Sequence, residues 1–360
     1  MTICLSMIVK NEADVIVRCL KSVMPVIDTW CIVDTGSTDG TQDLIRGTFQ
    51  DLKPGVLHER PWVDFAYNRS EALALARPMA DYSFIIDADD FLTGWSLSPL
   101  TADCYSVLIQ NHGITYPRVQ LVSNKLPWRY RGVVHEFLEC EGAAPGDMVP
   151  WVIEVGSGGA RGKDPETYRK DALILENAFH QEKESFLKAR YGFYLAQSWR
   201  DCGEKHKALV SYEWRAAQGL WSEEVYVSLL NAGRIAEEIK PDEALGFYQQ
   251  AIRVNMSRAE AYHGAARLCR TRKQFADGLL YAQEGVRHTS LPPGNGLFVE
   301  PWIYEWALID ELAINAYWAG HYRLSLDASE LILAEGKCPH VDRVKTNAAF
   351  ARRALIVAKP

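Results

Sequence analysis

No stretch of this 360-residue chain approaches the ~20 consecutive apolar residues that a bilayer-spanning helix needs, so an integral membrane segment is not expected. The opening MTICLSMIV is broken by Ser6 and lacks the basic start and small-residue cleavage site of an export signal, so it reads as a first β-strand. Positive charge is also scarce: the formal net charge is -7, which argues against a dedicated nucleic-acid binder, because phosphate contact needs a concentrated Lys/Arg surface. The eight cysteines form no C-x-x-C pair and sit among apolar neighbours, which excludes a zinc cluster or redox dithiol and fits reduced thiols in the cytoplasm.

What is present is ordinary globular composition, with 48% hydrophobic and 24% charged residues, in a chain long enough for two cores. Residues 1–160 alternate strand-like runs (Ile3–Val9, Thr29–Asp34, Val56–Glu59, Ser83–Asp87) with amphipathic helical stretches (Glu12–Val23, Asp39–Arg46, Asn68–Ala76), the pattern of an α/β domain. Between Asp103 and Val155 four β-rich runs follow (Cys104–Gln110, Arg118–Ser123, Tyr130–Leu138, Trp151–Val155), which extend the sheet in mixed or antiparallel fashion. The glycine-rich GSGGARGKDP at 156–165 reads as a mobile loop or interdomain linker. Residues 166–360 read as helical, and KALVSYEWRAAQ, EALGFYQQAIRV and DGLLYAQEGVRH align with Ala208, Ala244 and Gly278 at intervals of 36 and 34 residues. That interval is close to the tetratricopeptide period, in which Tyr212, Tyr248, Ala251 and Leu279 are packing residues. A fourth unit, Gly320–Leu333, follows an insertion holding Phe298, Trp302, Tyr304 and Trp306, read first as a cap.

In a parallel sheet, ligands bind beyond the carboxyl ends of the strands. Three expected strand ends carry polar clusters: Lys10-Asn11-Glu12, Asp34-Thr35-Gly36-Ser37 and Asp87-Ala88-Asp89-Asp90. FIIDADD places carboxylates at the end of a buried strand, where a divalent cation bound against a diphosphate needs them. A D-x-D triplet alone is equally what an acidic turn after a strand looks like. The second cluster adds Asp34, a strand-terminal carboxylate suited to base or ribose hydroxyls; Asp39 reads as a structural helix start.

LSMIVKNEADVIVRCLKSV, IVDTGSTDGT, NRSEALALA and FIIDADD, in this order and spacing, resemble the family 2 glycosyltransferases over residues 1 to about 140, and the repeats resemble bacterial members that carry tetratricopeptide units. The resemblance implies a GT-A (Rossmann-like nucleotide-diphospho-sugar transferase) domain at 1–160 and an all-α solenoid at 166–360. It further implies inverting transfer of a hexose-type sugar from a nucleotide donor, UDP foremost, with Mn²⁺ or Mg²⁺. Carried over residue by residue, it makes Val9, Asn11 and Glu12 neighbours of the nucleotide, Asp34 its uracil or ribose partner, and Asn68 and Arg69 donor contacts. Asp87 and Ala88 fall near the donor sugar, with Asp89 as the leading metal ligand.

Inverting transfer needs one general base near the acceptor nucleophile. The Glu-Asp pair that the family often presents after D-x-D is absent, and WRYRGVVHEFLE occupies its place. Glu136 is therefore nominated as base and His135 as a metal or substrate contact, neighbours that would face opposite sides of a strand. The late histidine of many GT-A enzymes is also missing; Glu154 is a further metal candidate, while Arg161 and Lys163 offer closure over the diphosphate or a solvated basic linker. The expected acceptor is a protein or peptide side chain held partly by the repeats. A transferase extending surface polysaccharide or a lipid-linked glycan, and a scaffold with an inactive transferase half, are the competing readings, and a homodimer is left open.

Overall fold

The computed structural model describes all residues except 97–98, 112–113, 289, 291–295 and 358–360. The chain forms two compact units, Met1–Gln181 and Glu182–Pro360.

In the first unit the order is β1 (Ile3–Val9), α1 (Ile16–Val23), β2 (Thr29–Asp34), α2 (Thr41–Phe49), β3 (Gly55–Glu59), α3 (Phe65–Ala76), β4 (Tyr82–Ile85), β5 (Phe91–Gly94), β6 (Cys104–Asn111), β7 (Ile114–Ser123), β8 (Arg129–Arg131), β9 (Phe137–Glu139), β10 (Val152–Glu154) and α4 (Thr167–Gln181). Eight strands make one sheet in the order β3-β2-β1-β4-β7-β6-β10-β5, and β8 and β9 form a separate ribbon. The first four are parallel, with Val9 paired to Asp34 and Ser6 to Ile85, so β2, β1 and β4 end along one edge. β7 then runs antiparallel to β4 and β6, and β10 lies parallel to β6 and antiparallel to β5.

Both faces of the parallel part are covered, which is why β2 reads as the unbroken run TWCIVD and is buried throughout. On one face Ile3, Leu5, Met7, Ile32 and Phe84 pack with Ile16, Leu20, Val23, Ile45 and Phe49 of α1 and α2. On the other, Cys4, Cys31 and Ala76 cluster, and Leu73 and Ile85 meet Tyr130 and Leu138 of the ribbon. The sheet is thus the middle layer of three.

Two expectations change. Tyr130–Leu138 is not one strand, because Gly132 (φ 102) and His135 (φ 54) take left-handed conformations that fold it into a tight ribbon turn. The 156–165 segment is not a free linker either: it lies against the carboxyl edge of the sheet and leads into α4 of the same unit.

The second unit contains α5 (Ser185–Asp201), α6 (Lys205–Ala217), α7 (Ser222–Ile239), α8 (Pro241–Val254), α9 (Ala259–Thr271), α10 (Phe275–His288), α11 (Leu308–Trp318), α12 (Tyr322–Glu335) and α13 (Val341–Val357), with a π-helical turn at Ile303–Ala307. Successive helices pack as antiparallel pairs, and α9, the first helix of its pair, also touches α7 and α11, the first helices of the pairs on either side. Within three pairs the chain reverses through a left-handed residue, Gly203, Lys273 or Gly320, and the next amide bonds back to Trp199, Cys269 or Ala316. Tyr212, Tyr248, Ala251 and Leu279 are buried as the repeat pattern requires. Tyr248 wedges between α7 and α9, where a Cβ on Gly233 or Gly264 would come within 2.9 or 2.5 Å of its ring. Among the described residues no helix is long and apolar enough to cross a membrane.

Candidate active site

The site lies where β2, β1 and β4 end. Asp34 closes β2 with one oxygen fully engaged: Oδ1 accepts the amides of Gly36 and Ser37, both at 2.9 Å, and Nε2 of Gln42 at 3.1 Å. Those bonds build the turn into α2. Oδ2 of the same carboxylate is buried and has no partner among the described residues, which is costly unless something else donates to it. A uracil N–H or a ribose hydroxyl is such a donor.

Asn11 and Asp39 stitch two loops together. Asn11 (φ 56) receives the Thr38 amide on its side-chain oxygen at 2.8 Å and donates its own amide to Ser37 Oγ at 2.9 Å. Asp39 accepts from the Ala13 and Thr41 amides and from Thr41 Oγ1, so the structural reading of Asp39 stands, although Gly40 is the helix N-cap. Val9 is buried, and its carbonyl takes both donors of Thr35. Asn68 is likewise buried and committed to its own loop, accepting from the Val63 amide and donating to the Pro61 carbonyl.

β4 stops at Ile85, so the acidic triplet is a turn, closed by the Asp90 amide on the Asp87 carbonyl at 3.1 Å, with Ala88 buried beneath it. Asp87 and Asp89 consequently have different surroundings. Arg69 of α3 reaches Asp87 Oδ1 at 2.6 Å through Nη2 and Glu136 Oε1 at 2.7 Å through Nε, and Arg118 of β7 stands 3.8 Å from Asp87 Oδ2. Burial by itself would raise the Asp87 carboxyl, but the two guanidiniums outweigh it and hold the group below the usual carboxylate range. Burial opposes the charge on Arg69 too, and Asp87 and Glu136 more than offset it.

Among the described residues no ion pair of that kind reaches the Asp89 carboxylate, on which Arg18 and Arg69 act only as minor influences. Burial and the Asp87 charge push its pKa up. Asp90 is raised to about 7 by burial and Asp87, and Glu12 to about 7 chiefly by burial, with Asp89 and Asp39 adding to it. Burial first and mutual repulsion second thus oppose full ionisation along this edge, and a divalent cation would offset both. Among the described residues no three His, Cys, Asp or Glu side chains form a ready-made metal cage. A divalent cation at this edge would meet Asp89 without an ion-pair partner among the described residues; His135 is exposed on the ribbon turn.

The glycine-rich segment crosses this edge at van der Waals distance. A Cβ on Gly156 would collide with the Asp89 carbonyl, and one on Gly159 would sit 2.5 Å from Asp89 Oδ2, so only glycine lets the backbone pass. The Gly156 amide donates to Asp90 Oδ1 at 3.1 Å and the Ala160 amide to Glu12 at 3.3 Å. Arg161 pairs with Asp171 of α4 and lies 5.0 Å over the Phe65 ring, while Lys163 pairs with Asp14 at 2.6 Å. Both cations thus hold the segment down.

Sequence reasoning missed Arg18, whose Nη2 donates to the Asp89 carbonyl at 2.7 Å, and Arg118 and Tyr130, which flank Arg69 and Asp87. No local pattern marks them, because they come from α1, β7 and the ribbon.

Residues 4–103 match the model of glycosyl transferase family 2. The first unit carries a family 2 glycosyl transferase domain. The chain is 34% identical over 89 residues to the SPbeta prophage-derived glycosyltransferase SunS of Bacillus subtilis, covering 25% of this chain and 20% of SunS. It is 30% identical over 146 residues to a TPR repeat-containing protein of Synechococcus elongatus, covering 38% of this chain and 35% of that protein. The chain therefore spans about a third or less of the curated relatives it matches. A tetratricopeptide repeat protein from Parabacteroides merdae is a loose structural neighbour, with a TM-score of 0.39 at 16% identity over 52% of this chain and 67% of that one. The family 2 domain includes β1 to β5 and with them Asp34, Arg69, Asp87 and Asp89; Glu136 and the glycine-rich segment lie beyond the matched residues.

Proposed function

We propose that the chain is an inverting glycosyltransferase that moves a hexose-type sugar from a UDP donor to a protein or peptide side chain. The observation that carries this reading is the divided carboxylate of Asp34, one oxygen tied into the β2–α2 turn and the other buried without a donor among the described residues. In this reading Asp34 Oδ2 receives the uracil or ribose. Val9, Asn11, Glu12, Asn68 and Ala88 shape the edge on which the nucleotide rests, and Arg69 keeps Asp87 ionised and oriented toward the donor.

The residues present fit a divalent cation at Asp89, with His135 as a further candidate contact; Mn²⁺ or Mg²⁺ there would neutralise charge on the departing diphosphate. Glu136, positioned by Arg69, takes the proton from the acceptor hydroxyl or thiol as that atom bonds to the anomeric carbon and the diphosphate leaves with the electron pair. Arg161 and Lys163 keep the glycine-rich segment across the edge, which limits access of water to the donor. A cytoplasmic setting belongs to the same reading, supported by free cysteines.

The test is calorimetric titration of UDP and a panel of UDP-sugars with and without Mn²⁺, on wild type, Asp34→Asn and Asp89→Ala. Asp34→Asn is expected to weaken UDP with or without metal, and Asp89→Ala to abolish the metal-dependent part. Unchanged affinities in both variants would overturn the site. Donor binding without release of UDP in the presence of peptide acceptors would favour the inactive scaffold, and release only with glycan acceptors the polysaccharide reading.

A further inference from the structure

The insertion before α11 has a consequence for the second unit that its repeat pattern does not suggest. Residues Leu297–Trp302 do not cap an end; they run back across the first helices of three pairs. Phe298 stacks on Phe193 of α5 with ring centroids 6.3 Å apart and 12° between planes. Glu300 pairs with Arg234 of α7, and Trp302 meets His263 of α9 edge-on at 5.3 Å. The backbone is held as well. The Leu297 amide donates to Glu223 Oε2 at 3.0 Å, the Leu297 carbonyl accepts from Arg258 Nη1 at 2.9 Å, and the Glu300 amide donates to Glu260 Oε1 at 3.2 Å. Arg258 and Glu260 are themselves buried, so these are fixed main-chain receptors.

The anchors remain accessible even so. Phe298 is 50% and Trp302 40% exposed, whereas Ile303, one residue further on, is fully buried. Phe298 also takes a left-handed conformation (φ 50) that a phenylalanine rarely adopts. The segment is thus gripped by its backbone, its two aromatic rings and one carboxylate, without joining the core.

Charge points the same way. Across this face Glu237 pairs with Arg267 at 2.5 Å and Glu311 with Arg270 at 2.8 Å, which leaves Arg234 to Glu300. Burial and the three arginines depress His263 to about 3, so the imidazole adds no charge of its own at neutral pH. With the segment lifted, Arg234 would stand without its carboxylate, while Glu223, Arg258 and Glu260 keep their pairing with one another.

We propose that Leu297–Trp302 is a tethered stand-in for a peptide ligand, and that the face built by α5, α7 and α9 binds an extended peptide with the pattern aromatic-x-acid-x-aromatic. The tethered copy occupies the face at high local concentration, so a partner peptide must displace it. This inference stands on the second unit alone, and its failure leaves the transferase reading of the first unit untouched.

The probe is a fluorescein-labelled nonapeptide with the sequence of residues 296–304, followed by anisotropy on the full chain. The Phe298→Ala/Glu300→Ala variant, whose own segment is loosened, should bind it about tenfold more tightly than wild type. Adding Arg234→Ala to that variant, or replacing the peptide's glutamate by glutamine, should weaken binding about tenfold again. On wild type, saturating peptide should speed hydrogen exchange of the Leu297 and Glu300 amides. No saturable binding to the double variant with its helical circular dichroism intact, or binding indifferent to Arg234, overturns the proposal. Should the double variant lose its helical signal, Glu300→Gln alone replaces it, and absence of any gain over wild type is then the overturning result.

Discussion

Arg69 shows how much of this site depends on one side chain with two acidic partners. Its guanidinium is mostly buried between Asp87 and Glu136, and removing it takes that cation from both carboxylates, with Arg118 at 3.8 Å left to Asp87. Arg69→Met is expected to destabilise the first unit by about 3 kcal/mol in chemical denaturation, with Arg69→Lys recovering only part because an ammonium cannot fork between the two. His263 supplies a test in acid. Its folded pKa, near 3, lies far below that of an unfolded histidine, so the unfolded chain takes up a proton first as pH falls through 6.5. Stability should therefore drop between pH 6.5 and 3, by at most about 5 kcal/mol from this residue. His263→Gln should flatten that part of an acid-denaturation curve; an unchanged slope would show that burial and the neighbouring arginines do not depress this imidazole. The pairing of Arg69 with Glu136, 67 positions apart, was not legible in the sequence, since only the folding of the ribbon over α3 brings them together. Asp34 was legible as a strand-terminal carboxylate, but its divided hydrogen bonding was not.

At the scale of elements, glycines give the sharpest contrast. Gly264 in α9 and Gly246 in α8 are both helix-interior glycines, where alanine normally gains about 1 kcal/mol. At Gly246 nothing lies within 4 Å of an added Cβ, so Gly246→Ala should raise the thermal midpoint. At Gly264 the same atom meets the Tyr248 ring at 2.5 Å, and overpacking of about 1–3 kcal/mol outweighs the propensity gain. Gly264→Ala should therefore lower the midpoint under identical conditions. Strands and repeat helices were readable because burial imposes period and composition on them: TWCIVD is apolar because both faces are covered, and Tyr212 and Tyr248 recur because each fills the space between helix pairs. The glycine-rich segment misled for the opposite reason. Glycines that permit mobility and glycines that permit close approach to Asp89 are the same letters, and only the neighbours distinguish them.

For the whole molecule, the two units make separate predictions about ligand linkage. UDP with Mn²⁺ at a hundredfold excess over its dissociation constant should stabilise the first unit by about 2.7 kcal/mol. Hydrogen exchange should slow within Met1–Gln181, and amides of Glu182–Pro360 should keep their rates; protection centred on the helical repeats would contradict a donor site on the sheet edge. The two-unit organisation was visible in the change from alternating to helical periodicity, though the helix Thr167–Gln181 belongs with the sheet unit.

The thiols distributed through both units have a practical corollary. Cys4 and Cys31 belong to β1 and β2, Cys19 to α1 and Cys269 to α9, each buried and each harder to ionise than a free thiol. An alkylating reagent at neutral pH meets them only when the surrounding layer opens. Mass-resolved labelling can therefore time the breathing of sheet and solenoid independently, in one unmodified sample, with the chain supplying its own clocks.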